Sequence, residues 1–223
     1  MDTQAEKVSS NIEYWATRWN EQRIGWHQPQ VDKYLLKYYS KITGKSLPEA
    51  PLSKEAPEFK VNSTKTWRTL GEEHGLGLTL ENEANLFVGA EGRLKIYFGD
   101  LFQCPIEQFG PFDYVWDRGS LIAIEYPCRN NYKAMMQRAL KHKEKGNYHN
   151  FSYLLEIVRY DKTKFGGPPR SLDDEDLKTL YEDWAEVKFL DQAPLPENHP
   201  VAKHPDIGPV DEMVFLITPK NSS

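Results

Sequence analysis

An acid, a base and a glycine stand together at the end of Phe112-Asp113-Tyr114-Val115-Trp116-Asp117-Arg118-Gly119-Ser120-Leu121. The first half is aromatic and β-branched, as a strand inside a sheet requires. Gly119 then frees the chain to turn, and Ser120 can cap the helix that follows. Ligands of open α/β sheets sit at the carboxyl ends of strands, so Asp117 and Arg118 are candidates for binding or polarising one. The competing reading is a surface turn in which both face water.

Two other strand ends carry similar chemistry. Gly75 to Glu81 alternates like a strand that stops in an acid, and an acid there can bind the two hydroxyls of a ribose. A solvated strand terminus would look the same. Leu94, Ile96 and Phe98 alternate with Arg93, Lys95 and Tyr97 and run into Gly99-Asp100. Gly99 lets a ligand approach the backbone, and Asp100 can accept from an exocyclic amine such as that of adenine. Near the start, Trp15 and Trp19 recur at helical spacing, and Trp26 follows in the loop Arg23 to Pro29. Such rings can close over a flat or cationic ligand, a sulfonium included, or simply pack a core.

The remaining elements position these groups. Val31, Leu35, Leu36 and Tyr39 mark a second helix, and Trp67 to His74 a short one. Residues 46 to 66, with Pro48, Pro51 and Pro57 among lysines and glutamates, break the pattern. Tyr132, Met135, Met136, Ala139 and Leu140 give an amphipathic helix whose methionines belong to the core. Phe151 to Val158 is a nearly continuous apolar run, a buried strand, followed by the loop Lys162 to Pro169 with its Gly-Gly-Pro-Pro. Ser171, with Asp174 three residues on, opens a helix, and Val187 to Leu190 and Met213 to Thr218 are closing strands. The order predicts an α/β fold: a doubly wound, Rossmann-like sheet with an antiparallel closing strand, an N-terminal helical lid and a disturbed first βα unit. It is read as one domain of 1–223, with the lid in 1–45, the irregular segment in 46–66 and the α/β body in 67–223.

Composition narrows the function. At 223 residues and 39% hydrophobic, the chain suits one sizeable domain. A net charge of -5 with mixed signs argues against nucleic acid or an anionic membrane as partner. No apolar run approaches the ~20 residues that span a bilayer, and Met1 to Ser10 lacks the apolar core of a signal peptide. Cys104 and Cys128 make neither a disulfide framework nor a metal quartet. The expectation is a cytoplasmic monomer that binds no metal.

The chain resembles the thiopurine S-methyltransferases, class I enzymes that use S-adenosylmethionine. Tyr14-Trp15, Arg18-Trp19 and Ile24-Gly25-Trp26-His27-Gln28 are similar to the family's opening helix and lid. Asp113 to Leu121 resembles its signature closely. Gly99-Asp100-Leu101-Phe102 and Tyr160 to Lys164 with Gly167-Pro168-Pro169 match as well. By that likeness Trp15, Trp19 and Trp26 contact the cofactor, Gly99 and Asp100 lie by the adenine, and Glu81 is the ribose acid. Arg118 reaches the boundary of cofactor and substrate, and Trp26, Gly167 and Pro168 join it against the acceptor. The family's first strand runs into a Pro-Leu-Cys-Gly-Lys-like turn, of which Pro51-Leu52-Ser53-Lys54 is only an echo.

The resemblance implies methyl transfer to the sulfur of a small, aromatic or heterocyclic thiol, with Arg118 as the cation that stabilises the thiolate. In another reading Arg118 pairs with an acid and braces the turn. The lost turn keeps a catalytically inactive relic open as an alternative. So does a thiol or halide methyltransferase with a non-purine acceptor.

Overall fold

The computed structural model describes residues 17, 21, 31–47, 75, 77–81, 85–97, 99–141, 148, 150–197, 199 and 201–220. The expected helix around Trp15 and Trp19, the Trp26 loop, the segment 48–66 and the helix 67–74 therefore lie outside the described residues, Thr17 and Glu21 aside. The chain divides into two compact units, Met1–Pro29 with Ser53–Cys104 and Gln30–Leu52 with Pro105–Ser223.

In the first unit the period-two pattern produces a small antiparallel meander. Strands β1 (Thr79–Glu81), β2 (Leu86–Gly89) and β3 (Leu94–Tyr97) lie in that order. The strand expected before Glu81 is thus short, and β2 was not anticipated at all. Leu86-Phe87-Val88 offers only three apolar residues, yet Leu86 and Phe87 are buried.

In the second unit four strands pair in the order β4 (Tyr114–Arg118), β5 (Ser152–Arg159), β7 (Asp211–Pro219) and β6 (Ala185–Pro194). β4 and β5 are parallel, and β7 runs antiparallel to both β5 and β6. Helix α1 (Lys33–Thr43) lies on one face, where its Tyr34 and Ile42 pack against Leu154 and Val214. It starts because Asp32 Oδ1 accepts from the backbone N–H of Tyr34 at 2.8 Å and of Leu35 at 3.0 Å. Gly44, with φ of 67°, ends it in the left-handed conformation.

The opposite face carries helices α3 (Arg129–Leu140) and α4 (Asp174–Tyr181), with the four-residue α2 (Ser120–Ala123) between β4 and α3. The methionines of α3 are buried as expected. Layers of helix on both faces of a mixed sheet are the predicted Rossmann-like arrangement. The helix after the Gly-Gly-Pro-Pro loop is capped differently from the expectation. Asp173, not Ser171, accepts from the N–H of Asp176 at 2.9 Å, and Asp176 returns the bond at 3.0 Å. Ser171 is buried instead, its hydroxyl bonded to both the N–H and the C=O of Tyr160. Among the described residues no helix is long and apolar enough to cross a membrane.

Candidate functional site

Successive residues of a strand point to opposite faces, and β4 places one half of its motif in each layer. Asp117 points to the side of α3 and α4. It is 3% exposed, so the water-facing turn is not what forms. Its Oδ2 accepts from Tyr132 at 2.5 Å and Tyr153 at 2.8 Å, and its Oδ1 from the N–H of Ser120 at 3.1 Å and Leu121 at 3.3 Å. Burial raises its pKa above the usual carboxylate range, and these four donors pull the other way. Asp117 thus takes the capping role expected of Ser120, which is itself the first helical residue. Gly119 turns the chain with φ of 98°, and a Cβ there would touch nothing within 4 Å. Its conformation alone sets its value, so Gly119→Ala is expected to cost roughly 1–2 kcal/mol, read from the urea midpoint.

Tyr114, Trp116 and Arg118 face α1. Register sets Arg118 opposite Glu156 and Trp116 opposite Leu154. The Arg118 Nε lies 3.2 Å from Asp32 Oδ2 and 3.9 Å from Glu156 Oε2. Arg118 keeps 23% of its side chain exposed, while Asp32 keeps 3% and Glu156 2%. Trp116 Nε1 donates to Glu156 Oε1 at 2.7 Å, and its ring is 45% exposed. Burial first, then the neighbouring Asp32 and Glu212, push the Glu156 carboxyl up to about 8 against the pull of Trp116 and Arg118. Arg118 is therefore braced by acids, though not by Asp117, and still reaches solvent.

The Gly-Gly-Pro-Pro loop and the segment around Leu195 converge on the same strand end. Ile122 of α2, Phe165 and Leu195 each pack against the buried cluster of Val158, Tyr160, Val201, Ile207 and Val210. The N–H of Arg170 donates to the Ile122 carbonyl at 2.7 Å, and its Nη1 to the Ala123 carbonyl at 2.8 Å. Gly167 has φ of 80°, and a Cβ on it would press within 2.5 Å of Arg170 Cγ. The Gly167-Pro168 turn is thereby tied to the segment directly after Arg118. The Pro169 carbonyl receives the Tyr160 hydroxyl at 2.6 Å.

Within the first unit, Glu81 and Tyr97 both pair with Leu86, so the ends of β1 and β3 lie at the same end of the meander. Glu81, Gly99 and Asp100 are exposed there. Asp100 Oδ1 accepts from Phe102 N–H at 2.9 Å, which turns the chain after the strand. A Cβ on Gly99 would fall 2.9 Å from the Tyr97 hydroxyl, so glycine is what that ring tolerates. Trp15, Trp19 and Trp26 lie outside the described residues.

A family model for thiopurine S-methyltransferase matches residues 63–220. The thiopurine S-methyltransferase of Oryctolagus cuniculus is 30% identical over 98% of this chain and 94% of its own length. That of Panthera leo is also 30% identical, and that of Bos taurus 28%, over the same shares. The chain belongs to the thiopurine S-methyltransferase family. It is an enzyme of methyl transfer, which speaks against the inactive relic. Asp32 and Glu156, the two acids that hold Arg118, belong to none of the motifs read above. Glu156 did leave a signal, as the lone acid inside the apolar run Phe151 to Val158. Asp32 left none beyond a cap before α1.

Proposed function

We propose that the chain transfers a methyl group from S-adenosylmethionine to the sulfur of a small aromatic or heterocyclic thiol. The observation that carries this reading is the family match, with the matching Arg118 set at the carboxyl end of a sheet strand. The residues present fit the cofactor. Two exposed acids share one end of the meander, where Glu81 would accept from ribose hydroxyls and Asp100 from the adenine amine. By the family likeness Trp15, Trp19 and Trp26 would also contact it, aromatic faces being attractive to a cationic sulfur. When bound, S-adenosylmethionine supplies a methyl group on a positive sulfur with a neutral leaving group.

The protein's contribution is then alignment and charge. Orientation of two reactants can supply about 7–11 kcal/mol of the barrier. Arg118 favours the thiolate over the thiol, which needs little more to act as nucleophile near neutrality. The Gly167-Pro168 turn, with Phe165 and Leu195 behind it, walls the acceptor. The relatives' name makes a thiopurine the first acceptor to try, with thiophenol as the non-purine control. We place the enzyme in the cytoplasm as a monomer acting on small molecules, without nucleic acid or metal.

S-adenosylmethionine at ~100 times its dissociation constant should stabilise the fold by about 2.7 kcal/mol, seen as a raised melting temperature. Labelled methyl should then appear on the sulfur of one of the two thiols. No melting shift at millimolar cofactor, with neither thiol methylated, would reject the reading.

A further inference from the structure

Two buried carboxyl groups converge on one guanidinium, from different elements. Asp32 comes from the cap of α1 and Glu156 from β5, and Asp32 Oδ2 and Glu156 Oε2 lie inside with no hydrogen bond of their own. A third acid, Glu212, stands next along β7 and is held by Lys33 at 2.8 Å. An acceptor that carried its own carboxylate would meet these acids and compete with them for Arg118. Breaking such a buried pair is costly, because it strands a charge without a partner.

We propose that Asp32 and Glu156 set the acceptor class, making this enzyme selective for thiols without an acidic group by holding Arg118 against two buried carboxyl groups. The inference rests on Arg118 bordering the acceptor, as in the reading above. Asp32 and Glu156 act through Arg118 and are positioning residues.

The arrangement also makes the selectivity depend on pH. Glu156 is protonated in the fold until pH rises through about 8, so below that the Arg118–Asp32 pair carries no net charge. Above it the cluster gains a negative charge. Among the described residues the other groups around Glu156 are Glu212 on β7, with Lys33 and Tyr34 of α1 beside it. His199, which feels Glu212 and Arg118, is held neutral to lower pH by burial. None of these reverses the sign.

The test compares thiophenol with 4-mercaptobenzoate as acceptors at pH 6.5 and 9 in the wild type, Glu156→Gln and Asp32→Asn. Wild-type kcat/KM for the carboxylate thiol, relative to thiophenol, should fall several-fold from pH 6.5 to 9. Glu156→Gln should flatten that profile, and each variant should raise the ratio about tenfold at pH 9. Ratios within twofold of wild type in both variants would overturn the proposal while leaving methyl transfer intact. Methylation of neither thiol would fail the underlying reading instead. Calorimetric binding of benzoate at pH 9 then decides the inference by itself: tighter binding by Glu156→Gln supports it, and equal or absent binding in both proteins overturns it.

Discussion

Replacing Asp117 with alanine should lower the unfolding free energy by roughly 3–5 kcal/mol. The carboxylate gathers four donors from three elements: Tyr132 of α3, Tyr153 of β5, and the N–H groups of Ser120 and Leu121 that begin α2. Alanine takes that acceptor from all four, though Tyr153 has another near it, the Tyr181 hydroxyl at 3.3 Å. Each buried unsatisfied group costs about 1–3 kcal/mol, and partial collapse recovers some of it. Asp117→Asn should lose about half as much. Its Oδ1 still serves the two backbone groups, and the tyrosine hydroxyls can turn to accept from its amide. The measurement is urea unfolding with the slope checked for constancy, so that a shifted midpoint means stability. An alanine variant within about 1 kcal/mol of wild type would mean that Asp117 does not bind α2 and α3 to the sheet.

That role explains which parts of the site were legible beforehand. A strand that ends in an acid, a base and a glycine could be read from Phe112 to Leu121, because β-branched and aromatic residues and a glycine have strong local preferences. The division of labour between Asp117 and Arg118 could not. It follows from alternation across the strand, but half of the donors that make burial of the acid tolerable, Tyr132 and Tyr153, lie 15 and 36 residues away. Hydropathy alone assigns such an acid to water. Asp32 and Glu156 were hidden for the same reason, since their partner Arg118 lies far along the chain from each. The helix cap was misplaced by two residues because Ser171 has the right chemistry for a cap. Its hydroxyl is spent instead on the backbone of Tyr160. The core helices and the last strand were read well because their apolar pattern is strong. Of Ala185–Pro194 only Val187 to Leu190 was legible, since that strand is largely exposed and its register shifts after Phe189.

Arg118→Ala should reduce methyl transfer roughly a hundredfold, the usual scale for removing one preorganised charge from a reacting centre. It should also change how stability depends on pH, and the sign follows from Glu156. The folded protein holds that proton up to about pH 8, far above the usual 4.5. The stabilisation from this group is therefore complete below pH 4.5 and is lost as pH rises through about 8, at about 1.4 kcal/mol per unit between them. Arg118 draws the Glu156 pKa down, so its removal raises that pKa and extends the loss to higher pH. Near pH 6 both proteins keep Glu156 protonated, and the variant suffers mainly from Asp32 left without its partner. Near pH 9 it must either hold two facing buried carboxylates or keep one protonated at the cost of the proton. The stability gap between wild type and variant should widen from roughly 2 kcal/mol at pH 6 to roughly 3–5 kcal/mol at pH 9. Methyl transfer assayed at pH 6, where the variant stays folded, separates the chemical loss from the structural one. Transfer at the wild-type rate there, with the stability gap present, would leave Arg118 as a brace between α1 and the sheet and remove it from the reaction.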